Sequence, residues 1–305
     1  MKGIALCIIL ALLAGAAFAE EGTEGGTESE SGLVLLATTE PGVKLAFNRR
    51  FAIPFLRGDG PLTEGNNVTV TPGVEITPAA FGVNADAVWT PVAFAEIVAG
   101  GRIGSGWSLG EIRGIGLNLP EDDGGSRYDG SGFDGALWEL RAGAAIQGDL
   151  SAFFPGEWNG VVFRSFHGIS HSAYSRAGNG QAWYVDNDEG ENRNGSSYNG
   201  NFLLGYRMPL FLNMAAVLAE ADLFLNVLDG GAAFGDDLAR WTFSGILGFR
   251  VSERLGATVL AQLRTSRNFT EANWRDLHFS RRTLDTSDRQ RLEFYRVVAA
   301  LDYRF

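Results

Sequence analysis

The chain has 305 residues, a mean hydropathy near zero and a net charge of −11, which argues against a nucleic-acid partner because phosphate backbones attract basic surfaces. Its one cysteine, Cys7, lies in an N-terminal apolar run, so the rest of the chain is predicted to have no disulfide and no thiol chemistry. After that run, no apolar stretch approaches the roughly 20 residues that a membrane helix needs.

The N-terminus has the pattern of a secretory signal peptide. Lys2 precedes an apolar run at residues 4–13, and residues 17–19 (Ala-Phe-Ala) form a small-x-small cleavage site. The run is too short and too early in the chain to be kept as a membrane helix. We therefore expect residues 1–19 to be removed by cleavage after Ala19, and the protein to be exported.

The next segment is acidic and of low complexity. Residues 20–32 consist entirely of Glu, Gly, Ser and Thr, and such a composition cannot bury enough apolar surface to fold. We expect residues 20–41 to form a largely disordered leader. Residues 42–305 are then expected to form a single domain, because barrels of this size commonly do.

Beyond the leader, apolar and polar residues alternate in many segments, which is the period of a β-strand. In residues 255–263 every second residue is apolar, and residues 138–150 and 241–251 repeat the pattern. The other side of these segments carries Glu, Arg, Asp and Gln, and the sequence has no helical pattern to cover the apolar side. The alternation predicts an all-β fold, an antiparallel transmembrane up-and-down β-barrel with an apolar outer face.

Loop lengths predict the number of strands. Short turns, expected on the periplasmic side, alternate with long Gly-, Asn- and Asp-rich loops, expected outside the cell. The long loops are at residues 55–66, 105–134, 176–197, 227–238 and 268–290. This alternation of short turns and long loops favours ten strands. They are expected near residues 42–54, 67–89, 92–104, 136–152, 158–175, 198–208, 212–226, 239–250, 253–267 and 289–305. A tight turn at residues 77–80, with a further crossing at 33–40 or 275–283, would give the alternative of twelve.

The last strand carries a further signal. Residues 294–305 alternate up to the end of the chain, with Tyr303 and Phe305 on the apolar side, and aromatic rings are typical of a membrane interface. The segment resembles the C-terminal targeting signal of bacterial outer-membrane β-barrel proteins, which ends in Phe with an aromatic residue two positions earlier. The resemblance implies a location in the bacterial outer membrane, contact with its lipids and insertion by the barrel-assembly machinery, with Tyr303 and Phe305 as the membrane-insertion signal.

The polar side of the strands is expected to line the lumen. Its charged candidates are Glu75, Asp86, Glu96, Arg102, Glu139, Arg141, Asp149, Arg207, Glu220, Asp222, Arg250 and Arg264. In a narrow barrel, opposite charges that face each other should pair, because a lone desolvated charge is costly. Two interpretations stay open: a salt-bridged structural barrel, or a narrow porin-like conduit for ions or small solutes. Neither calls for a cofactor or a metal.

Histidines offer an enzymatic alternative. Ser165 and His167 lie two residues apart on one strand, which resembles outer-membrane phospholipase A with the order of Ser and His reversed. Asp276-x-His278 with Asp186-x-Asp188 resembles omptin proteases, ten-stranded barrels in which such pairs activate water. The reversed order, and the absence of the omptin aromatic context around the acidic pair, mean that no catalytic residue is assigned.

The long loops allow two further alternatives. Residues 186–195 and 121–125 are rich in oxygen ligands that calcium would accept, although the glycine does not fall where an EF-hand requires it. Loops at 105–134 and 176–197 would suit an adhesin that binds through its surface.

Overall fold

The computed structural model describes residues 27–40, 42–130, 132–186, 188–225 and 235–305. The predicted signal peptide and the start of the leader lie outside these residues. Among the described residues, no helix is long and apolar enough to cross a membrane. The strands of the described part are β1 (Glu28–Thr38), β2 (Gly42–Pro54), β3 (Asn67–Thr77), β4 (Ala80–Val92), β5 (Ala95–Gly106), β6 (Ser108–Leu109), β7 (Ile112–Arg113), β8 (Ile115–Pro120), β9 (Ser126–Asp129), β10 (Leu137–Asp149), β11 (Gly160–Tyr174), β12 (Trp183–Val185), β13 (Gly195–Arg207), β14 (Leu212–Phe224), β15 (Arg240–Arg250), β16 (Leu255–Arg267) and β17 (Gln290–Arg304).

Twelve of these strands close into one antiparallel barrel, in the order β1-β17-β16-β15-β14-β13-β11-β10-β5-β4-β3-β2. Each barrel strand pairs with the next one along the chain, and β17 returns to pair with β1 from Gly32↔Arg304 to Thr38↔Val298. Closure gives each of these twelve strands a partner on both sides, so the described barrel has no free edge. The predicted up-and-down barrel is confirmed, and its strand number is the alternative of twelve.

The favoured count of ten is wrong for two reasons. Residues 67–89 are two strands, because the chain turns back at Pro78 and Ala79, between Thr77 and Ala80, which are register partners. The second reason is β1, which lies within the segment predicted to be a disordered leader. Its backbone groups pair with β2 over its whole length, from Glu28↔Ala52 to Thr38↔Gly42.

The extra turn also changes which end of the barrel holds each loop. We call the end with Phe305 and the start of β1 the terminal end, and the other the loop end. The loop end holds the long connections 107–136, 175–194, 225–239 and 268–289. Loop 55–66 was predicted on that side, but the reversal at Pro78 places it at the terminal end. There Asn66 Nδ2 donates to the carbonyl of Pro91, in β4, at 2.7 Å.

The outer face of the barrel is apolar. Large apolar side chains alternate outward along each strand, as shown by exposed fractions of 61% for Leu140, 60% for Val217 and 46% for Leu301. Aromatic rings gather at the terminal end, where the ring centroids of Phe47 and Phe305 lie 6.2 Å apart. Such a continuous apolar exterior bounded by aromatic rings is suited to lipid and not to water.

Candidate functional site

An apolar row crosses one side of the lumen. Ile246, Leu260 and Val298 are register partners on β15, β16 and β17, with exposed fractions of 2%, 0% and 0%. Leu36 of β1 and Leu218 of β14 pack against the same cluster. Because these side chains point inward and have almost no exposed area, they fill the lumen on this side. We call these five residues the apolar plug.

A polar layer adjoins the apolar plug on its loop-end side. Ser244, Gln262 and Arg296 are the next inward residues of β15, β16 and β17, and they are also register partners. Gln262 Nε2 donates to Ser244 Oγ at 2.9 Å, and Arg296 Nε donates to Gln262 Oε1 at 2.8 Å. The side-chain amide therefore links a hydroxyl to a guanidinium, so that buried polar groups satisfy one another.

Ion pairs occupy the facing side of the lumen. Arg141 of β10 donates to both carboxylate oxygens of Asp86 of β4, at 2.6 and 2.7 Å, and also lies 3.4 Å from Glu139. Strand β5 runs between β4 and β10, and its Gly100 is the register partner of both Asp86 and Arg141. A Cβ atom on Gly100 would lie 2.0 Å from Asp86 Oδ1. The missing side chain therefore allows the pair to meet across β5.

Further predicted lumen charges are paired in the same way. Glu75 accepts from Arg102 at 2.7 Å and from Lys44 at 3.0 Å, while Glu96 accepts from Arg164 at 3.0 Å. Nearer the terminal end, Arg207 pairs with Asp149. Apart from Arg207 and Asp149, these charged side chains are no more than 13% exposed, so each carboxylate depends on its cation for solvation.

The remaining four predicted lumen charges lie outside these pairs. Arg264 lies near the loop end, 2.9 Å from Glu189, and Arg250 lines a cavity at the terminal end. Asp222 is exposed and accepts from an asparagine amide at 2.6 Å, and Glu220 is the preceding inward residue of the same strand.

The long loops fold into a cap over the loop end. Strands β12, β8 and β9 form a three-stranded sheet there, and Trp183 and Tyr184 of β12 are buried, with exposed fractions of 0% and 1%. Trp183 Nε1 donates to Asn194 Oδ1 at 3.0 Å. We call the loop segments 107–136 and 175–194 the cap, because they pack on each other instead of extending into solvent.

Glu191 attaches the cap to the barrel wall. Its carboxylate accepts from Arg240 of β15 at 3.1 Å, from Arg267 of β16 at 2.8 Å and from Arg282 of the loop 268–289 at 2.5 Å. The Glu191 and Arg267 side chains are both only 8% exposed. One carboxylate therefore joins three separate segments at the loop end.

A cavity of about 340 Å³ lies at the terminal end of the lumen. Ile246 and Ala300 form part of its wall, so it lies against the apolar plug. Arg250, Arg304 and Glu157 line it as well. The lumen is thus hollow at the terminal end and occupied by side chains beyond the plug.

The omptin-like arrangement is not assembled around His278. This histidine is 4% exposed, its Nδ1 lies 2.7 Å from Ser280 Oγ, and its Nε2 lies 3.4 Å from the carbonyl oxygen of Asn118. Burial lowers the pKa of His278 below its ordinary 6.5, and the hydrogen bond with the Asn118 carbonyl opposes that shift. Within the described residues, neither Asp186 nor Asp188 is a hydrogen-bond partner of His278.

The acidic loop at 186–195 uses its oxygens within the protein. Asp188 Oδ1 accepts from the backbone N–H groups of Val185 and Gly190, at 3.2 and 2.9 Å. Burial raises the pKa of Asp188 above its ordinary 3.8. Glu189 and Glu191 pair with arginines, as described above, and the described residues contain no cluster of three or more His, Cys, Asp or Glu side chains suited to a metal ion.

The structure does bring Ser165 and His167 together, but on the outer face of the barrel. Ser165 Oγ lies 3.1 Å from His167 Nε2, and His167 Nδ1 lies 2.6 Å from the hydroxyl oxygen of Tyr198. Strands β10, β11 and β13 pair in continuous register around these residues, which engages the backbone N–H groups in the ladder. The backbone N–H groups beside this row are therefore not free to stabilise an oxyanion, as such groups do in many acyl-transfer sites.

Several of these partners were not predicted from the sequence. Lys44, Arg164 and Arg296 lie on the polar side of strands whose alternation predicted the lumen charges, so the same pattern would have found them. Glu191 and Arg282 lie in loops, where no period marks a side chain as buried. The aromatic pair Trp183-Tyr184, unusual in a polar loop, is a signal from which a folded cap could have been predicted.

A closed antiparallel barrel with an apolar exterior and a charged interior defines a transmembrane β-barrel of the outer-membrane type. The chain is similar to the β domain of the Bordetella autotransporter BrkA, with a TM-score of 0.40 and 8% identity over 92% of this chain and 99% of that one. It is also similar to the copper transporter OprC, with a TM-score of 0.30 and 11% identity over 93% of this chain and 43% of that one. No protein-family model and no curated protein sequence matches the chain.

Proposed function

We propose that this protein is an outer-membrane barrel that is closed to free diffusion and carries a folded cap. Of the two interpretations left open above, this is the salt-bridged structural barrel and not the narrow porin-like conduit. The observation that carries the proposal is the apolar plug, in which Leu260 and Val298 have no exposed area although they face the lumen. A general porin keeps a continuous water path through its lumen. Apolar side chains packed in the lumen, beside ion pairs on the facing wall, oppose such a path.

The strand number explains why the lumen needs this filling. Side chains alone nearly fill a barrel of eight strands, whereas barrels of 16 to 18 strands leave an aqueous channel. A twelve-stranded barrel lies between these cases. Shorter side chains would leave part of the lumen open. That volume is filled by arginine and glutamate pairs on one side and by leucine, isoleucine and valine on the other.

The orientation follows from the same proposal. The start of β1 and Phe305 lie at the terminal end, which we assign to the periplasm, and the cap would then face outside the cell. Tyr303 and Phe305 would serve as the insertion signal for the barrel-assembly machinery. Their rings are 42% and 61% exposed on the outer face, with centroids 6.0 Å apart, and are therefore accessible to a partner or to lipid.

Conductance in planar lipid bilayers tests the closed state. We expect the purified barrel to give no steady current steps. Leu260→Ala/Val298→Ala removes inward volume and should produce brief openings, since the plug is then incomplete. Leu247→Ala/Val259→Ala removes similar side chains from the lipid-facing positions beside them and should stay silent. Stable ohmic steps from the unmodified barrel would contradict the proposal and favour the porin-like alternative.

A further inference from the structure

A short hairpin of the cap carries an apolar face. Strands β6 and β7 pair with each other, with Leu109 opposite Ile112. Gly110 begins the two-residue turn between them and has a φ of +62°, the left-handed conformation that such turns favour and that glycine adopts readily. We call residues 107–114 the cap hairpin.

The two faces of the cap hairpin have different surroundings. On one face, Ser108 Oγ donates to the carbonyl of Gly130 at 2.7 Å. The Arg113 guanidinium, on the same face, lies over the Tyr128 ring, with its Cζ atom 3.7 Å from the ring centroid. That face is therefore turned to the rest of the cap. Leu109 and its pairing partner lie on the opposite face, because successive side chains along a strand alternate.

This apolar face continues the lipid-facing side of the barrel. The backbone N–H of Trp107 donates to the Ala79 carbonyl at 2.8 Å, so that β5 runs on into the cap hairpin. The Phe133 ring connects the hairpin to the barrel, since its centroid lies 5.2 Å from that of Trp107 and 6.0 Å from that of Phe81. Phe81 is an exposed residue on the outer face of β4. Apolar side chains thus extend from the barrel wall, through Phe133 and Trp107, toward Leu109.

The exposed apolar side chains of the cap gather on this side. In the described part of the cap, the large apolar residues that are exposed are Leu109, Ile112 and Phe133, with exposed fractions of 56%, 39% and 64%. Phe133 also has a φ of +58°, which is unfavourable for a residue with a side chain, and its N–H donates to the Gly106 carbonyl at 2.8 Å. The backbone thus holds this ring beside the apolar face in a conformation that glycine would adopt more easily.

The height of the cap hairpin places Leu109 at the level of the lipid head groups. Trp89, whose ring packs edge-on against Phe55 at a centroid distance of 6.2 Å, marks the terminal-end boundary of the apolar band, and its register partner is Ile97. From position 97 to position 109 the strand direction runs for about 40 Å, which is a rise of about 30 Å at a tilt near 40°. The apolar band of such barrels is about 25 Å tall. Leu109 therefore lies about 5 Å beyond the band, within a head-group layer that is roughly 5–8 Å thick.

We propose that the cap hairpin docks on the lipid surface of the loop-end leaflet, with Leu109, Ile112 and Phe133 inserted among the head groups. Three large apolar side chains that lie together are unfavourable in water, and the lipid that covers Phe81 is the apolar phase next to them. Glu191 attaches the cap to β15 and β16, and the hairpin attaches it to the membrane beside β4 and β5. The inference rests on the barrel lying in a membrane, and not on whether its lumen conducts.

Nitroxide labels on the barrel in phospholipid vesicles test the docking. In a Cys7→Ser background, Leu109→Cys carries the label on the apolar face, Val217→Cys gives a lipid-facing reference and Asp122→Cys, at an exposed turn of the cap, gives a reference in water. Electron paramagnetic resonance measures how often each label collides with oxygen, which concentrates in lipid, and with a water-soluble nickel chelate. We expect the ratio of oxygen to nickel collisions at position 109 to exceed that at position 122 several-fold and to stay below that at position 217.

A variant then tests whether the apolar face causes the docking. Ile112→Ser/Phe133→Ser should lower the oxygen-to-nickel ratio at position 109 about ten-fold, because two of the three inserted apolar side chains are gone. Leu56→Ser/Leu62→Ser, at exposed leucines of the terminal-end loop 55–66, should leave the ratio unchanged.

The possible outcomes at position 109 are distinct. A ratio equal to that at position 122 would overturn the proposal, because the hairpin would then lie in water. Infrequent collision with both reagents would overturn it as well, since the label would then be buried against protein, such as a second copy of the chain. A water-like ratio at position 217 would overturn the membrane location on which the inference rests.

Discussion

Gly100→Ala gives a direct measure of how much the ion-paired side of the lumen contributes to stability. The change adds one methyl group to β5, between the register partners Asp86 and Arg141. That carbon would lie 2.0 Å from Asp86 Oδ1 and 3.0 Å from the backbone oxygen of Ala85. The carboxylate must then move away from the guanidinium, or β4 must shift.

The expected cost follows from the burial of the pair. Breaking a buried ion pair typically costs roughly 3–5 kcal/mol, because one charge stays desolvated without its partner. The Arg141 and Asp86 side chains are 10% and 14% exposed, and Arg141 keeps Glu139 as a second partner, so the lower end applies. Replacing Gly by Ala also restricts the unfolded chain, which returns about 0.4–1 kcal/mol. The net loss should be about 2–3 kcal/mol.

Urea unfolding in phospholipid vesicles, followed by tryptophan fluorescence, would measure the loss. Gly245→Ala is the matched control, since nothing lies within 4 Å of the added carbon, and it should be neutral or slightly stabilising. In an Asp86→Ala background, Gly100→Ala should cost little, because the carboxylate that it displaces is gone. Equal stability of the Gly100→Ala and Gly245→Ala proteins would refute the reasoning.

Two predictions concern the loop end. Glu191→Gln leaves three arginines around a neutral amide and should destabilise the cap by roughly 3–5 kcal/mol. The measurement is limited proteolysis, in which residues 175–194 should be cut faster while the barrel stays intact. The control Glu64→Gln, in an exposed loop, should behave like the unmodified protein. His278 lies in the loop 268–289 and contacts the cap at the Asn118 carbonyl. Because burial lowers the pKa of His278, the protein binds a proton when the cap and this loop unfold. Protease resistance of the cap should therefore be full above pH 6.5, the ordinary pKa, and decline as the pH falls below it. A decline that is unchanged in His278→Gln would contradict this assignment.

The barrel could be predicted from sequence because alternation is a local property of each strand. The strand number could not, because a bulge and a turn at residues 77–80 shift the apolar residues between faces in the same way. Only pairing in three dimensions distinguishes them. The same holds for β1, whose polar first half has the composition of a disordered leader but receives its hydrogen bonds from β2.

The presence of charged side chains in the lumen could be predicted, since the polar side of each strand must face inward. Its pairings could not, because Asp86 and Arg141 lie on strands separated by β5 and meet only over Gly100. The apolar plug was unforeseen for a different reason. A leucine or valine on the inward side looks like an irregularity in one strand, and becomes a cluster only when β14 to β17 and β1 are placed side by side.

The position of the apolar plug bears on how the barrel closes. Within the described barrel, every pairing except one joins barrel strands that follow one another along the chain, and the exception is the seam between β1 and β17. Its ladder runs only from Gly32 to Thr38, whereas β1 pairs with β2 from Glu28 to Thr38. The seam therefore has fewer backbone contacts and the largest loss of chain entropy to overcome. Leu36 on one side of the seam packs with Val298 on the other, so the plug supplies apolar burial where the ladder is short. One cluster thus serves both to fill the lumen and to hold the first strand against the last.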